Sequence, residues 1–521
     1  MGELVRENIF LDQCVGTESS QILLEGDIIV PDARPDMALL LQTDATVAVD
    51  TTEIGPDRVH IAGRLTIELL YTAKGEGTPV HAIRHVQSID DFINLDGITS
   101  DMWVRTKADV AHVEYKMVND RKVYYRAIVN VRLVAERSDA HEMVVHIHDV
   151  PENQLLKNTL GINRTIEHRV ERFAVRDVIQ LAPSRPNIRE VLQFTARVAN
   201  KDVRLSTGRV TISGELMVTA LYRGDGDESL IEFIETELPF HTAVDISGAH
   251  DDMFVDDLLQ VLEHHVVIRP DADGEDRVLE VEISFGAQLK VYSMEMLPIL
   301  EDAYCINQQL TLTKATVRYP RLVCRNRNQV PVKEVLQLST ALPDMLQIHR
   351  VKGRAQLDEV KVIEDKVIVE GAIDADILYL AESDAQPLAS FKGMIPYRQV
   401  IEAKGAGPSM RVNVDVSVDH VAFSMLSSRE AEVRFLLTFN TQVVEEEEAR
   451  IITDISFAEM DATALSAMAS MTVYMVQPGD TLWKIAKRYN TSVDDLLAVN
   501  DMEGAARLMA GQKLLVLKKS G

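Results

Sequence analysis

The sequence predicts a mainly β protein with three repeated antiparallel, sandwich-like β domains and a small C-terminal α+β domain of order βααβ. Two observations predict this architecture. A strand-like segment that ends in Tyr recurs three times, each time at a fixed distance from a Gly and a Pro. Near the C-terminus, two short helical patterns lie between two strand-like segments. We therefore expect little helix outside the last domain.

Size and charge exclude several classes of protein. A chain of 521 residues is several times longer than a typical domain of ~100–150 residues, so it should form several cores. Its apolar content of 46% and charged content of 26% are typical of folded proteins. The net charge of −27 would repel a phosphate backbone. We therefore expect no nucleic-acid partner.

The cysteines and the chain's apolar segments bear on location. Three cysteines without a C-x-x-C pair favour a reducing compartment. The acidic start MGELVRENIFLDQ lacks the features of a secretory signal. No apolar run approaches the ~18 residues that span a bilayer. We expect no signal peptide, no transmembrane segment and a cytoplasmic location.

The internal repeat is the strongest signal in the sequence. In each copy a Gly precedes the Tyr by eight residues, and a Pro precedes that Gly by 28 residues. The landmarks are Pro35, Gly63 and Tyr71; Pro186, Gly214 and Tyr222; and Pro343, Gly371 and Tyr379. Offsets of 151 and 157 residues separate the copies. We predict three homologous domains at residues 1–165, 166–312 and 313–456.

The segments around these landmarks alternate apolar and polar residues, which is typical of strands with one buried face. A repeated Gly in a strand marks a bulge or a close approach of backbones. A repeated Tyr is most often a core ring whose hydroxyl is hydrogen-bonded. A ligand-binding role for these residues is the alternative.

These features resemble a known family. The opening MGELVRENIFLDQ, the stretch QILLEGDIIVPDARPDM and the repeated strand that ends in Tyr are similar to the SPOCS domains of bacterial spore-coat assembly proteins. The resemblance covers roughly residues 1–456. It implies three copies of one β domain.

After a predicted linker at residues 457–471, residues 472–519 resemble a LysM domain. The matching positions are Tyr474, Val476, Gly479, Asp480, Thr481, Leu482, Ile485, Ala486, Tyr489, Leu497, Asn500, Gly511, Gln512 and Leu514. LysM domains usually bind glycans that contain N-acetylglucosamine, in a groove between two loops. The resemblance implies a groove formed by Gly479, Asp480, Thr481 and Leu482 on one side and by Asn500, Asp501 and Met502 on the other.

A protein partner is the alternative ligand of this domain. Trp483 lies about 100° from Leu482 around the helix, off the apolar stripe. With Lys484 and Lys487 it would form an exposed surface of the kind enriched at protein interfaces. Residues 473–521 carry seven basic and five acidic side chains, in contrast to the acidic remainder. A Trp that packs on its own domain is the other interpretation.

Catalytic motifs are missing from the sequence. It contains no phosphate-binding glycine loop, no H-E-x-x-H and no G-x-S-x-G. The nearest metal-like pattern places His146 and His148 on one strand face, but exposed strand histidines are far commoner than metal sites of this kind. We expect no enzyme activity, no cofactor and no metal site.

The combination of SPOCS domains with a C-terminal LysM domain resembles a family of spore-coat morphogenesis proteins. It implies a non-catalytic scaffold in the mother-cell cytoplasm, at the forespore surface. The implied partners are stage IV sporulation protein A, which is the coat-basement ATPase, and other spore coat proteins. The alternative function is binding of peptidoglycan or of a lipid-linked wall precursor.

Overall fold

The computed structural model describes residues 3–75, 80–225, 231–383, 386–459, 469–502 and 508–517. The chain before residue 460 forms three repeats of six antiparallel strands each. A small domain with two helices and two strands follows. The predicted fold class is confirmed, including the order βααβ of the last domain.

Repeat 1 contains β1 (Glu3–Ile29), β2 (Met37–Gly55), β3 (Arg58–Ala73), β4 (Val80–Asn94), β5 (Trp103–Asn119) and β6 (Lys122–His148). Repeat 2 contains β7 (Asn153–Gln180), β8 (Ile188–Ser206), β9 (Arg209–Gly224), β10 (Ile231–Asp245), β11 (Phe254–Pro270) and β12 (Asp276–Cys305). Repeat 3 contains β13 (Gln308–Gln337), β14 (Met345–Ile363), β15 (Lys366–Ala381), β16 (Leu388–Glu402), β17 (Arg411–Ser427) and β18 (Glu430–Glu459).

Each repeat consists of two three-stranded sheets. In repeat 1 the long first and last strands pair with each other, giving the order β1-β6-β5, and the middle strands form β2-β3-β4. Repeats 2 and 3 use the same arrangement. Apolar residues alternate along these strands, so the inner faces of the two sheets form the core of each repeat.

The repeated Tyr and Pro are joined by the same hydrogen bond in all three repeats. The hydroxyls of Tyr71, Tyr222 and Tyr379 donate to the carbonyls of Pro35, Pro186 and Pro343 at 3.1, 3.3 and 2.9 Å. All three rings are fully buried. The prediction of a core ring with a tethered hydroxyl is confirmed, because the bond satisfies a polar group that burial would otherwise penalise.

The repeated Gly faces a bulge on the neighbouring strand. The register between β2 and β3 shifts next to Gly63, and the equivalent shifts occur beside Gly214 and Gly371. A Cβ at Gly63 would collide with the carbonyl oxygen of Ala48, and one at Gly371 with that of Gln356. These glycines therefore permit a close approach of backbones, as the sequence predicted.

The boundaries between repeats differ from the predicted ones. The strands place the breaks at residues 149–152 and 306–307. The boundary expected at 165/166 therefore falls inside β7, and the one at 312/313 inside β13. The difference arises because the landmarks lie in the middle of each repeat. The first strand of a repeat begins well before the first of its landmarks. The predicted linker at 457–471 begins within β18, and residues 460–468 lie outside the described part.

The three repeats pack around a common axis, with equivalent residues side by side. One apolar cluster on this axis takes three residues from each repeat: Ile9, Leu11 and Met143; Leu160, Ile162 and Ile299; and Val317, Tyr319 and Ile451. A second such cluster joins the ends of the long strands, and a third joins the middle sheets. Because these side chains are buried only when all three repeats meet, the repeats form one body. We call it the β body.

The last domain has the strands β19 (Met471–Met475) and β20 (Lys513–Leu517), which pair antiparallel. Between them lie the helices α1 (Leu482–Tyr489) and α2 (Val493–Val499). The side chains of Thr481 and Ser492 accept hydrogen bonds from the first turns of these helices. No helix in the described ranges is long and apolar enough to span a membrane.

Candidate functional site

The loop before α1 is held in one shape by Asp480. The Asp480 carboxylate accepts a hydrogen bond from the Tyr474 hydroxyl at 2.6 Å and one from the backbone N–H of Gln477 at 2.8 Å. These bonds, that of Tyr474 first, lower the pKa of Asp480. Gly479 adopts a φ of 85°, which favours glycine. The loop is therefore preformed before any ligand arrives.

Thr481 and Lys484 complete this loop. Thr481 caps α1 by accepting a hydrogen bond from the N–H of Lys484 at 3.1 Å. The Lys484 ammonium donates to the carbonyl of Gly479 at 3.0 Å. Gly479, Thr481 and Lys484 are exposed, whereas Leu482 packs against the domain core. Three of the predicted residues therefore present a surface to solvent.

The predicted second side of the groove has a different character. The Asn500 amide donates to the carbonyls of Leu496 and Leu515 at 2.8 and 2.7 Å, and its oxygen accepts from the N–H of Leu515. The side chain of Asn500 therefore joins α2 to β20. Met502 packs against the core, and Asp501 is exposed. The chain continues from there into residues 503–507, which lie outside the described part.

The structure contradicts the prediction that Trp483 lies exposed, because its ring is partly buried, whereas Lys487 is exposed but bound to the β body. The indole N–H of Trp483 donates to Asp302 of repeat 2 at 2.8 Å. The Lys487 ammonium donates to both oxygens of the same carboxylate at 2.6 and 2.8 Å. The Trp483 ring also meets the Tyr304 ring edge-on, with centroids 4.9 Å apart. Trp483 therefore contacts the β body as well as its own domain, and neither of the two interpretations offered above describes it fully.

Two further hydrogen bonds fix this docking. The Tyr304 hydroxyl donates to the carbonyl of Thr491 at 2.7 Å, and the Asn490 amide donates to the carbonyl of Ile306 at 2.6 Å. Tyr304 and Ile306 belong to the same apolar cluster as the core of the small domain. We call Asp302, Tyr304 and Ile306 the docking seat. No pattern in the sequence indicates this contact with the β body.

Asp302 is the charged residue of the docking seat. Burial alone would raise the pKa of its carboxyl group, but the hydrogen bonds from Lys487 and Trp483 outweigh burial, so the pKa lies below its ordinary value. Burial raises the pKa of the Tyr304 hydroxyl, which stays protonated and donates. The seat therefore presents one carboxylate and one hydroxyl to the docked domain.

Only repeat 2 supplies this combination of side chains. The positions equivalent to Asp302 and Tyr304 are His146 and His148 in repeat 1, and Asp454 and Ser456 in repeat 3. His146 and His148 contact each other, with ring centroids 4.6 Å apart. Asp454 accepts a hydrogen bond from Arg6 instead. Although the β body has three similar ends, the small domain therefore occupies one of them.

A second exposed surface of the small domain was not predicted. Met471, Val473 and Met475 alternate along β19 and are 60%, 65% and 50% exposed. Leu517 opposite Met471 is also exposed. These residues form a short apolar strip on the outer face of the two-stranded sheet. Period-2 alternation could have indicated it, because Thr472 and Tyr474 face the opposite way.

Metal-binding residues do not cluster in the part of the chain that the structure describes. No group of three or more His, Cys, Asp or Glu side chains there comes close enough to hold a metal ion. Cys14, Cys305 and Cys324 are free thiols.

Family models match both parts of the molecule. The model described as SipL, SPOCS domain, matches residues 36–118, 187–264 and 344–426. In repeat 1 this match covers β2 to β5, and the long strands β1 and β6 lie outside it. The model described as LysM domain matches residues 474–516. No curated protein and no solved structure matches the chain. The chain therefore belongs to the proteins that join SPOCS domains to a C-terminal LysM domain.

Proposed function

We propose that this protein is a non-catalytic scaffold of spore coat assembly in the mother-cell cytoplasm. In this proposal it tethers coat proteins to stage IV sporulation protein A, the coat-basement ATPase, at the forespore surface. The LysM domain makes the contact with the ATPase, and the β body engages other coat proteins. The presence of both SPOCS and LysM domains supports a sporulation-related adaptor.

The apolar strip on β19 is the observation that favours a protein ligand. A domain this small rarely leaves several large apolar side chains of one strand in solvent without a partner. Met side chains adapt to different partner surfaces, which suits a contact with the ATPase, because the family resemblance implies that this ATPase forms a polymer on the forespore surface. The strip residues are exposed while the domain is docked, whereas Trp483 and Lys487 already donate hydrogen bonds to Asp302. The partner surface therefore consists of the strip and the neighbouring loop with Lys484.

Docking strengthens the scaffold function by limiting movement between its two binding parts. When a polymer displays many copies of one partner, linked weak contacts give high avidity without a single tight site. A LysM domain fixed to the β body loses less conformational freedom on binding than one on a free tether. The polymer and the recruited coat proteins are then held at a defined spacing.

Glycan binding is the second candidate function, and the preformed Asp480 loop favours it. Gly479 and Thr481 are exposed beside a fixed carboxylate, and sugars are recognised by such arrays of polar groups on rigid loops. The ligand would be peptidoglycan or a lipid-linked wall precursor that contains N-acetylglucosamine. It would contact the Gly479–Leu482 loop rather than the apolar strip.

A binding assay with the full chain separates the two functions. The chain is tested against the immobilised ATPase and against tetra-N-acetylchitotetraose. We expect Val473→Asp and Lys484→Glu to weaken binding to the ATPase at least tenfold, and Val473→Asp to leave glycan binding unchanged. Asp480→Ala should affect the glycan selectively. Ser456→Ala, at the position of repeat 3 equivalent to Tyr304, is the matched control.

The outcomes are distinct. ATPase binding that depends on Val473 supports the scaffold proposal. Binding of the glycan alone, with dependence on Asp480, replaces it with recognition of the wall or its precursor. Binding to the ATPase that is unaffected by both strip and loop variants would reject this surface as the contact.

A further inference from the structure

A polar cavity lies where the middle sheets of the three repeats meet. Its volume is about 570 Å³, within the range of small-molecule sites. The lining comes from all three repeats, with Asp44 from repeat 1, Arg197 from repeat 2 and Lys352 from repeat 3 as representatives. This cavity is remote in sequence from the LysM domain and has no part in the function proposed above.

One equivalent position in the three repeats breaks their symmetry beside the cavity. It is occupied by Gln42, Gln193 and Arg350. The Arg350 guanidinium donates to the amide oxygens of Gln193 and Gln42 at 2.5 and 2.7 Å. Its Nε has no hydrogen-bond partner among the described residues, although the side chain is buried. Repeat 3 therefore brings a positive charge to the axis where the other repeats bring neutral amides.

A second equivalent position adds two more arginines. Arg197 of repeat 2 donates to the carbonyls of Val418 and Asp419 at 3.0 and 2.8 Å. Arg354 of repeat 3 donates to the carbonyl of Val110. Repeat 1 has Thr46 at this position. Arg197, Arg350 and Arg354 thus bind neutral oxygens, and none has a described carboxylate within the 4.0 Å of an ion pair.

The carboxylates of the cavity do not neutralise these arginines directly. Asp44 is paired with Lys352. Asp376 accepts a hydrogen bond from Gln42 at 3.0 Å, and burial raises the pKa of its carboxyl group. Asp374 and Glu235 also line the cavity, and Glu235 is exposed at its rim.

The buried guanidinium group of Arg350 is costly, because no described carboxylate pairs with it directly and the more distant Asp44, Asp376 and Glu68 offset its desolvation only in part. Burial accordingly lowers the pKa of Arg350 and of Arg197. An anion in the cavity would supply the missing charge and an acceptor for Arg350. The rest of the wall includes the apolar side chains of Met217, Phe233 and Phe423, which suit a ligand with a carbon skeleton.

We propose that this cavity binds a small organic acid, whose acidic group meets Arg350 and Arg354 while its carbon part contacts the apolar wall. Free carboxylates and phosphate monoesters share the required negative charge, since guanidinium groups pair with both. The ligand would stabilise the junction of the three repeats, because it can bind only when all three are assembled.

The test is isothermal titration of the full chain with citrate and with phenyl phosphate, and with triethyl citrate as the uncharged counterpart. We expect at least one of the two acids to bind with a stoichiometry of one per chain and the triester not to bind. Arg350→Gln places in repeat 3 the residue that repeats 1 and 2 already carry there, and Arg354→Thr restores the residue of repeat 1. Each should weaken acid binding at least tenfold.

Arg176→Gln is the matched control, because Arg176 is an exposed arginine that pairs with Glu282 on the outer surface. It should leave the affinity unchanged. Circular dichroism checks that each variant is folded, and Arg354→Thr, at a partly exposed position, serves if Arg350→Gln does not fold. Failure of both acids to bind, or binding that survives Arg354→Thr in a folded protein, would overturn the proposal. Neither result depends on whether the LysM domain binds the ATPase.

Discussion

The molecule contains two kinds of joint. Between the repeats, three apolar clusters draw equivalent side chains from all three copies, and these side chains are fully buried. Between the LysM domain and repeat 2, the joint consists of Tyr304 and Ile306 in the small domain's apolar cluster, one aromatic pair and a few hydrogen bonds, three of them to Asp302. The first joint is inseparable from folding. The second has the composition of a reversible contact between domains.

Truncation at the axis should have the largest effect. Leu11→Ala removes a fully buried side chain from the cluster shared by all three repeats, and such changes cost about 2–5 kcal/mol. Chemical denaturation should show this loss in the unfolding of the β body. Leu23→Ala on the same strand, where the side chain is 50% exposed, is the control and should change stability far less. Equal losses would contradict the axis as part of the core.

Substitution in the docking seat should separate the two joints. Asp302→Asn removes the charge that holds Lys487 and Trp483, and charged hydrogen bonds contribute about 1.5–3 kcal/mol. We expect the LysM domain to undock while the denaturation midpoint of the β body is unchanged. Small-angle scattering or NMR measures the docked fraction.

Asp454→Asn is the control for the seat, because it changes the equivalent carboxylate of repeat 3, which binds Arg6. It should leave docking intact. If both variants undock the LysM domain, or if neither does, the seat is not specific to repeat 2.

Acid should act on the second joint through the same carboxylate. Since the pKa of Asp302 is lowered in the docked state, its contribution is present above the ordinary carboxyl pKa of about 3.9 and is lost as pH falls through the lower docked value. We expect the docked fraction of the wild-type chain to decrease below about pH 4. NMR follows docking, and far-ultraviolet circular dichroism follows the strands.

The Asp302→Asn variant provides the reference for this titration. Its remaining docked fraction should not respond to acid in the range where the wild type does. A wild-type docking equilibrium that is flat through the carboxyl range, with the repeats still folded, would count against Asp302 as the titrating group.

The smallest effect is expected at Tyr304. Tyr304→Phe removes a neutral hydrogen bond to the Thr491 carbonyl and keeps the ring against Trp483, so docking should weaken by about 0.5–1.5 kcal/mol. Tyr474→Phe removes a hydroxyl that bonds Asp480 within the LysM domain and should not affect docking. A larger loss for Tyr474→Phe than for Tyr304→Phe would place the docking contacts elsewhere.

Local chemistry explains which features could be predicted from the sequence. Gly63 and Tyr71 are each required by their surroundings within one repeat, so they recur at fixed spacing and reveal the fold. The cap of α2 is equally local, because Ser492 accepts a hydrogen bond from the N–H of Asp495 three positions away. Features determined within a short stretch of chain leave a pattern that one sequence can show.

The docking seat could not be predicted for the opposite reason. The sequence placed Trp483 off the apolar stripe of its helix, and the structure agrees, but its partner Asp302 lies 181 residues earlier. No periodicity connects the two. Arg350 and Gln42 are likewise 308 residues apart, and only the packing of three repeats brings them together. The predicted repeat boundaries differ from the breaks between strands because the ends of β7 and β13 carry no repeated motif that would mark where a repeat begins.

Fusing three copies into one polypeptide has a consequence for the residues that meet at the centre. A trimer of identical subunits must place the same side chain three times around its axis, so an arginine there would face two other arginines. In this chain the equivalent position holds one Arg350 between two glutamines that accept its hydrogen bonds. Tandem duplication thus allows each copy to change its sequence independently. The centre can then hold a single positive charge, which a strictly symmetric trimer could not place there.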